Sequence, residues 1–163
     1  MKQVKPGKVP IDRLEGTVDV SERLGRLART RRFAALATLS AEGPHLSLVA
    51  FAIAPDLGEL VFATPRNTGK FRNILSDGRV SILLDGSGTG SKSVMGTEAI
   101  SLDGRARVVR RGKRRDALAE LLLAVHTELA DFLAAPSTAL IVVEVSRSVH
   151  VENFQRVSVG HGP

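Results

Sequence analysis

Glu59-Leu-Val-Phe-Ala-Thr-Pro-Arg-Asn-Thr-Gly-Lys-Phe-Arg-Asn-Ile-Leu-Ser76 changes character half-way along. Leu60 to Ala63 is a short apolar run of strand formers and reads as a buried strand. Pro65 ends it, because proline has no N–H for a sheet ladder. Thr68 then stands where a helix N-cap belongs, with Phe71, Ile74 and Leu75 following at helical spacing. Strand, turn and helix together bring Thr64, Thr68 and the Lys70 ammonium to the positive end of a helix, which suits a phosphate. A strand–turn–helix with a solvated lysine is the plain alternative. A Walker A loop is excluded, since Thr64 stands where a glycine is needed and Phe71 where Ser or Thr is needed.

The neighbours of this stretch extend the pattern. A strand pair is expected at Phe33–Ser40 and His45–Ala54, joined by Ala41-Glu42-Gly43-Pro44, with a glycine available for positive φ. After the short helix comes another apolar strand, Arg79–Asp85. His45–Ala54 is apolar on both faces and so reads as a central strand, with Leu48 and Phe51 in the core. Its small residues Ser47, Ala50 and Ala52 would let a ligand approach the backbone.

In this order of elements the chain resembles the pyridoxamine 5′-phosphate oxidase-like, FMN-binding split-barrel family. The residues that carry the resemblance are Ala37-Thr38-Leu39, Gly43-Pro44-His45, Leu46-Ser47-Leu48-Val49, Thr64, Thr68, Lys70, Asn73 and Arg79-Val80-Ser81. The likeness runs over roughly residues 20 to 155. It implies a mainly-β fold: a six- to seven-stranded antiparallel split β-barrel with a long helix towards the C-terminus. It further implies that Thr64, Thr68 and Lys70 hold the FMN phosphate, that Leu46, Ser47, Leu48 and Val49 run beside the isoalloxazine, and that Ala63 and Gly69 lie close because they leave room. Family members are homodimers with FMN sites at the subunit interface, so a homodimer acting on a small-molecule substrate is expected. Two departures count against pyridoxamine phosphate oxidation itself. Gly69 stands where those oxidases carry a phosphate-contacting arginine, and their C-terminal Arg-x-His signature is absent, Arg147-Ser-Val-His150 having the wrong spacing.

Composition bounds the rest. The 163 residues make one ordinary domain, with 43% hydrophobic and 25% charged residues, as in a folded globular chain. No cysteine is present, which excludes disulfides, thiolate metal sites and cysteine nucleophiles. Tyr and Trp are also absent, so a planar cofactor must lie against aliphatic groups, backbone or one of six Phe. No apolar run approaches the roughly 20 residues of a membrane span, and no signal-peptide core is seen. The sequence is thus expected to be cytoplasmic and without a membrane partner. The charge of 23 basic against 17 acidic residues gives +6. It is densest in Arg105–Arg115, where no aromatic residue interleaves the cations, so a solvated surface is expected and nucleic acid is not.

Along the chain, residues 1–19 read as an N-terminal arm, 20–158 as the FMN-binding split-barrel domain and 159–163 as a C-terminal tail. Ser21 is expected to cap a first helix with Leu24, Leu27 and Ala28 on one face. Gly86–Ser93 reads as a loop, and Asp103-Gly104 as the turn of a hairpin joining Val94–Leu102 to Arg105–Val109. Lys113–Leu133 is the clearest helix, and Ala139–Val145 and Val149–Phe154 are two last strands. His45, His126, His150 and His161 lack metal-ligand spacing, so no metal is expected, and no Gly-x-Ser-x-Gly elbow exists. No catalytic residue can be named from the sequence. A flavin would carry the redox chemistry itself. The expected function is therefore an FMN-dependent oxidoreductase. The alternatives are an F420-dependent reductase of the same fold, or a non-enzymatic haem- or flavin-binding protein with His150 or His161 as haem ligand.

Overall fold

The computed structural model describes residues 12–13, 19–87, 96–153 and 156–161. Its elements, in chain order, are β1 (Asp12–Arg13), α1 (Val20–Thr30), β2 (Phe33–Ser40), β3 (Gly43–Ile53), β4 (Glu59–Pro65), α2 (Gly69–Ser76), β5 (Arg79–Asp85), β6 (Glu98–Val109), α3 (Lys113–Val125), α4 (Ala130–Ala134), β7 (Thr138–Glu152) and β8 (Arg156–His161). Six strands in the order β7-β4-β3-β2-β5-β6 close into a barrel, because β6 also pairs with β7. Every one of these pairings is antiparallel. β8 continues the sheet from the second half of β7, and the two-residue β1 lies parallel to it. The mainly-β split barrel is thus the fold of this chain.

Alternation builds the barrel. Along β2 and β5 every second residue is buried, so Ala34, Leu36, Val80, Ile82 and Leu84 point inward and meet Phe51, Phe62 and Ile100. Each fully buried Leu, Ile, Val or Phe side chain among them contributes about 1.5–3 kcal/mol. β4 and β7 are buried on both faces. Val61, Leu140 and Val142 pack outward against Leu118, Leu122 and Leu133 of α3 and α4, which explains the unbroken apolar run in Ala139–Val143. Between β2 and β3 the chain turns tightly, with Gly43 at φ +124, a conformation that favours glycine.

Several expectations are corrected. Asp19, not Ser21, caps α1; its Oδ1 accepts the N–H groups of Ser21 and Glu22 at 2.9 and 3.3 Å. Asp103-Gly104 is no hairpin: β6 runs straight through it, and the register with β7 shifts there. The glycine serves close approach instead, since a Cβ on it would lie 2.3 Å from the Glu144 carbonyl oxygen. The helix at Lys113–Leu133 breaks after Val125, because His126 adopts φ −132 and ψ 72. Its buried ring places Nε2 2.9 Å from the Phe51 carbonyl oxygen, and a 3₁₀ turn at Thr127–Leu129 leads into α4. The two final strands are one strand, β7. Leu48 lies outside the core, exposed on the outer face of β3 beside Leu46. β8 extends the sheet to His161, beyond residue 158, and β1 lies within the segment read as an arm. Most of the Gly86–Ser93 loop, with Val94 and Phe154, lies outside the described residues.

Candidate functional site

β3 and β4 pair over only three residues, Phe51–Ile53 against Leu60–Phe62. Beyond them the strands part. β3 keeps β2 on one edge as far as Gly43, and β4 keeps β7 as far as Pro65. Among the described residues no strand covers the other edge of Leu46–Ala50 or of Ala63–Thr64. This split leaves backbone N–H and C=O groups available, the usual condition for an extended partner or a flat polar ligand to bind. Ser47 and Val49 alternate with Leu46 and Leu48, so the two pairs face opposite sides of β3.

At the mouth of the split α2 begins. Thr68 caps it: its hydroxyl donates to the Pro65 carbonyl at 2.9 Å, accepts the Phe71 N–H at 3.4 Å, and lies 3.1 Å from the buried Thr64 hydroxyl. With Thr68 Oγ1 donating to Pro65, Thr64 becomes the donor to Thr68. Both hydroxyls are thereby occupied in shaping the turn. What remains open at this helix end are the N–H groups of Gly69 and Lys70, which have no hydrogen bond among the described residues. Gly69 faces open space, with no atom within 4 Å of where a Cβ would stand. Lys70 follows, half-buried. Arg66 braces the same turn; its Nε donates to the Pro136 carbonyl at 3.1 Å, and its guanidinium lies 5.8 Å from the Phe71 ring centre.

A polar relay ties α2 to the hairpin of β2 and β3. Asn73 donates from Nδ2 to Thr38 Oγ1 at 3.0 Å, and Thr38 donates to the His45 carbonyl at 3.4 Å. Ser47 Oγ lies 3.5 Å from His45 Nδ1. Asn73 is one turn along from Lys70, so the relay ties α2 to the β2–β3 hairpin at Thr38 and His45. The structure brings Thr64, Thr68, Gly69 and Lys70 together at the start of α2. Val49 is packed in the barrel core, Ala63 packs towards α3 and α4, Ser47 is half-buried, and Leu46 and Leu48 are exposed on the opposite side of β3. Thr38 and Asn73 were legible as parts of the resemblance, but their structural role was not. The available signal was a polar side chain on the buried side of a short amphipathic helix, and a threonine in an apolar strand.

The family model for pyridoxamine 5′-phosphate oxidase matches residues 20–152. The chain belongs to that family. No curated protein matches it. Solved structures share the fold: a haem-binding protein from Mycobacterium smegmatis (TM-score 0.73, 23% identity, covering 83% of this chain and 57% of that one). HutZ, the haem storage protein from Vibrio cholerae, is also similar (TM-score 0.67, 18% identity, 79% of this chain and 92% of that one). So is an FAD-binding protein from Mesorhizobium loti (TM-score 0.66, 16% identity, 80% of this chain and 90% of that one). At such identities the likeness speaks for the fold alone, and this family member spans little more than half of the mycobacterial chain.

The histidines bear on the haem alternative. His150 is fully buried, with Nε2 2.9 Å from Glu98 Oε2, and Glu98 also receives Arg26 at 2.6 Å. Glu98, held by His150 on one side and Arg26 on the other, ties α1 to the β6–β7 sheet, and His150 Nδ1 is buried without a hydrogen-bond partner among the described residues. The His161 side chain lies outside the described residues. Among the described residues no cluster of His, Asp and Glu suits a metal ion, and no helix is long and apolar enough to cross a membrane.

Proposed function

We propose that this family member is an FMN-binding flavoprotein oxidoreductase, a homodimer with its cofactor sites at the interface, acting on a small organic molecule. The carrying observation is the pair of free N–H groups at Gly69 and Lys70, on a capped helix end that opens beside an unpaired strand edge. Free N–H groups, the positive end of a helix and a neighbouring ammonium each favour a phosphate, and Gly69, Lys70 and the start of α2 support this reading. In this reading Gly69 and Lys70 hold the phosphate, Thr64 and Thr68 keep the turn rigid, and the β3 edge from Leu46 to Val49 supplies backbone partners to the isoalloxazine. The bound flavin supplies hydride and electron transfer. The protein binds, orients and shields it, and no side chain is assigned a proton-transfer role.

Deazaflavin F420, which also carries phosphate, is the alternative cofactor for the same cradle. The haem reading is favoured by two structural neighbours whose names mention haem. If it held here, exposed His45 would be the ligand to examine, because His126 and His150 are buried. The absorption spectrum of the purified protein, with identification of the chromophore released by heat, tests these readings together. A yellow flavin spectrum with FMN released supports the proposal. A Soret band, or no saturable uptake of added FMN, refutes it.

A further inference from the structure

β3 changes partners abruptly. From Gly43 to Ala50 its ladder is with β2, the last pair being Ala50 with Phe33. From Phe51 to Ile53 the ladder is with β4. Phe51 therefore stands at the fork, next to the edge Leu46–Ala50 that no strand covers among the described residues. Its carbonyl is taken by a side chain. His126 Nε2 lies 2.9 Å from that oxygen, in a residue only 1% exposed. The other ring nitrogen, Nδ1, lies 3.4 Å from Arg32 Nη2, and Arg32 directly precedes β2. One histidine thus joins the end of α3, the start of β2 and the point where β3 passes from β2 to β4.

The chemistry of its partners fixes the ring. A carbonyl only accepts, so Nε2 carries the proton; a guanidinium only donates, so Nδ1 offers its lone pair. Both nitrogens of a neutral imidazole are thereby used. The backbone holds the residue as well. Its N–H donates to the Leu122 carbonyl at 2.9 Å, closing α3, and its carbonyl accepts the Leu129 N–H at 3.0 Å. Arg32 is anchored in turn by Glu128, from the same 3₁₀ turn as Leu129. A strand segment with a ladder on one side opens more readily than one held on both, so what fixes its end matters. We propose that His126 is a positioning residue: it sets where β3 leaves β2 for β4, and so holds the edge Leu46–Ala50 in place for the ring of the bound flavin. The last step rests on the flavin reading, whereas control of the fork does not.

The test pairs flavin titration with amide hydrogen exchange on the full chain. His126→Leu keeps most of the bulk and removes both ring hydrogen bonds. His126→Gln still has a donor for the Phe51 carbonyl and an acceptor for Arg32. His126→Leu should weaken FMN and riboflavin alike, about five- to twentyfold, and His126→Gln should bind both as the parent does. Equal loss for the two flavins sets this role apart from the phosphate contact of Lys70. Exchange in His126→Leu should quicken at Ala52, Ile53 and Leu60–Phe62 and stay unchanged in β5 and β6. Arg32→Leu, at an exposed position, should act in the same direction by about two- to threefold, and it carries the test if His126→Leu does not fold. Unchanged flavin affinity in His126→Leu, no recovery in His126→Gln, or exchange that quickens evenly through the barrel overturns the proposal. If the parent protein binds neither flavin, the proposed function fails by itself, and the exchange pattern alone then decides for or against His126 at the fork.

Discussion

Thr68 caps α2, and both hydroxyls of its turn are consumed there, because a hydroxyl has one proton: Thr68 gives its own to the Pro65 carbonyl and Thr64 gives its own to Thr68. Thr68→Val should therefore lower stability by about 1 kcal/mol, the usual cost of a lost cap, read as a shift in denaturation midpoint at unchanged slope. A Thr68→Val protein as stable as its parent would show that the cap contributes nothing. Asp77 gives a second prediction at this scale. Hydrogen bonds from Arg79 hold its carboxyl down at about 2. A depressed carboxylate stabilises the fold above its ordinary value near 4 and loses that contribution as pH falls towards 2. Asp77→Asn should flatten the acid limb of the stability–pH curve in that window, and an unaltered limb would refute the pairing.

Among the elements, those defined by local periodicity were legible: the β2–β3 hairpin, β4, α2 and β5. The errors came where long-range contacts overrode local signals. Asp103-Gly104 carries the residues of a turn, yet the glycine is there because β7 passes too close for a side chain. Gly104→Ala should cost about 1–3 kcal/mol through strain at the Glu144 carbonyl; a neutral substitution would mean that the bulge relaxes freely. The helix from Lys113 kept its period past Val125, and only the burial of His126 against the Phe51 carbonyl explains the break. The site divides in the same way. Its start at α2 could be read from sequence, whereas the split between β3 and β4 depends on how far two strands pair, which no local pattern encodes.

For the whole molecule, the outer face of the barrel raises the question of assembly. Phe33, Leu46, Leu48 and Leu83 are 54, 71, 70 and 45% exposed, and in the sheet register Leu48 and Leu83 flank Ala35 on either side. A contiguous apolar surface of this kind marks an interaction site. With Leu46 and Leu48 on the same strand as the proposed flavin contacts, a homodimer burying more than roughly 1,600 Å2 is predicted. Light scattering should give twice the chain mass at micromolar concentration, and Leu48→Glu should give the single mass. A monomeric parent protein would contradict both the dimer and the shared site. Pyridoxamine 5′-phosphate should be turned over poorly, since the Arg-x-His signature is missing and His150 is fully buried; efficient conversion to pyridoxal 5′-phosphate would overturn that. The central claim is that the start of α2 holds a cofactor phosphate, and titrating FMN and riboflavin against the parent and Lys70→Met measures it most directly. A charge-assisted contact is worth about 1.5–3 kcal/mol, so FMN should bind the variant about ten- to 150-fold more weakly. Riboflavin, lacking the phosphate, should bind both proteins equally, whereas unchanged FMN affinity in Lys70→Met, or an equal loss for both flavins, would contradict the account.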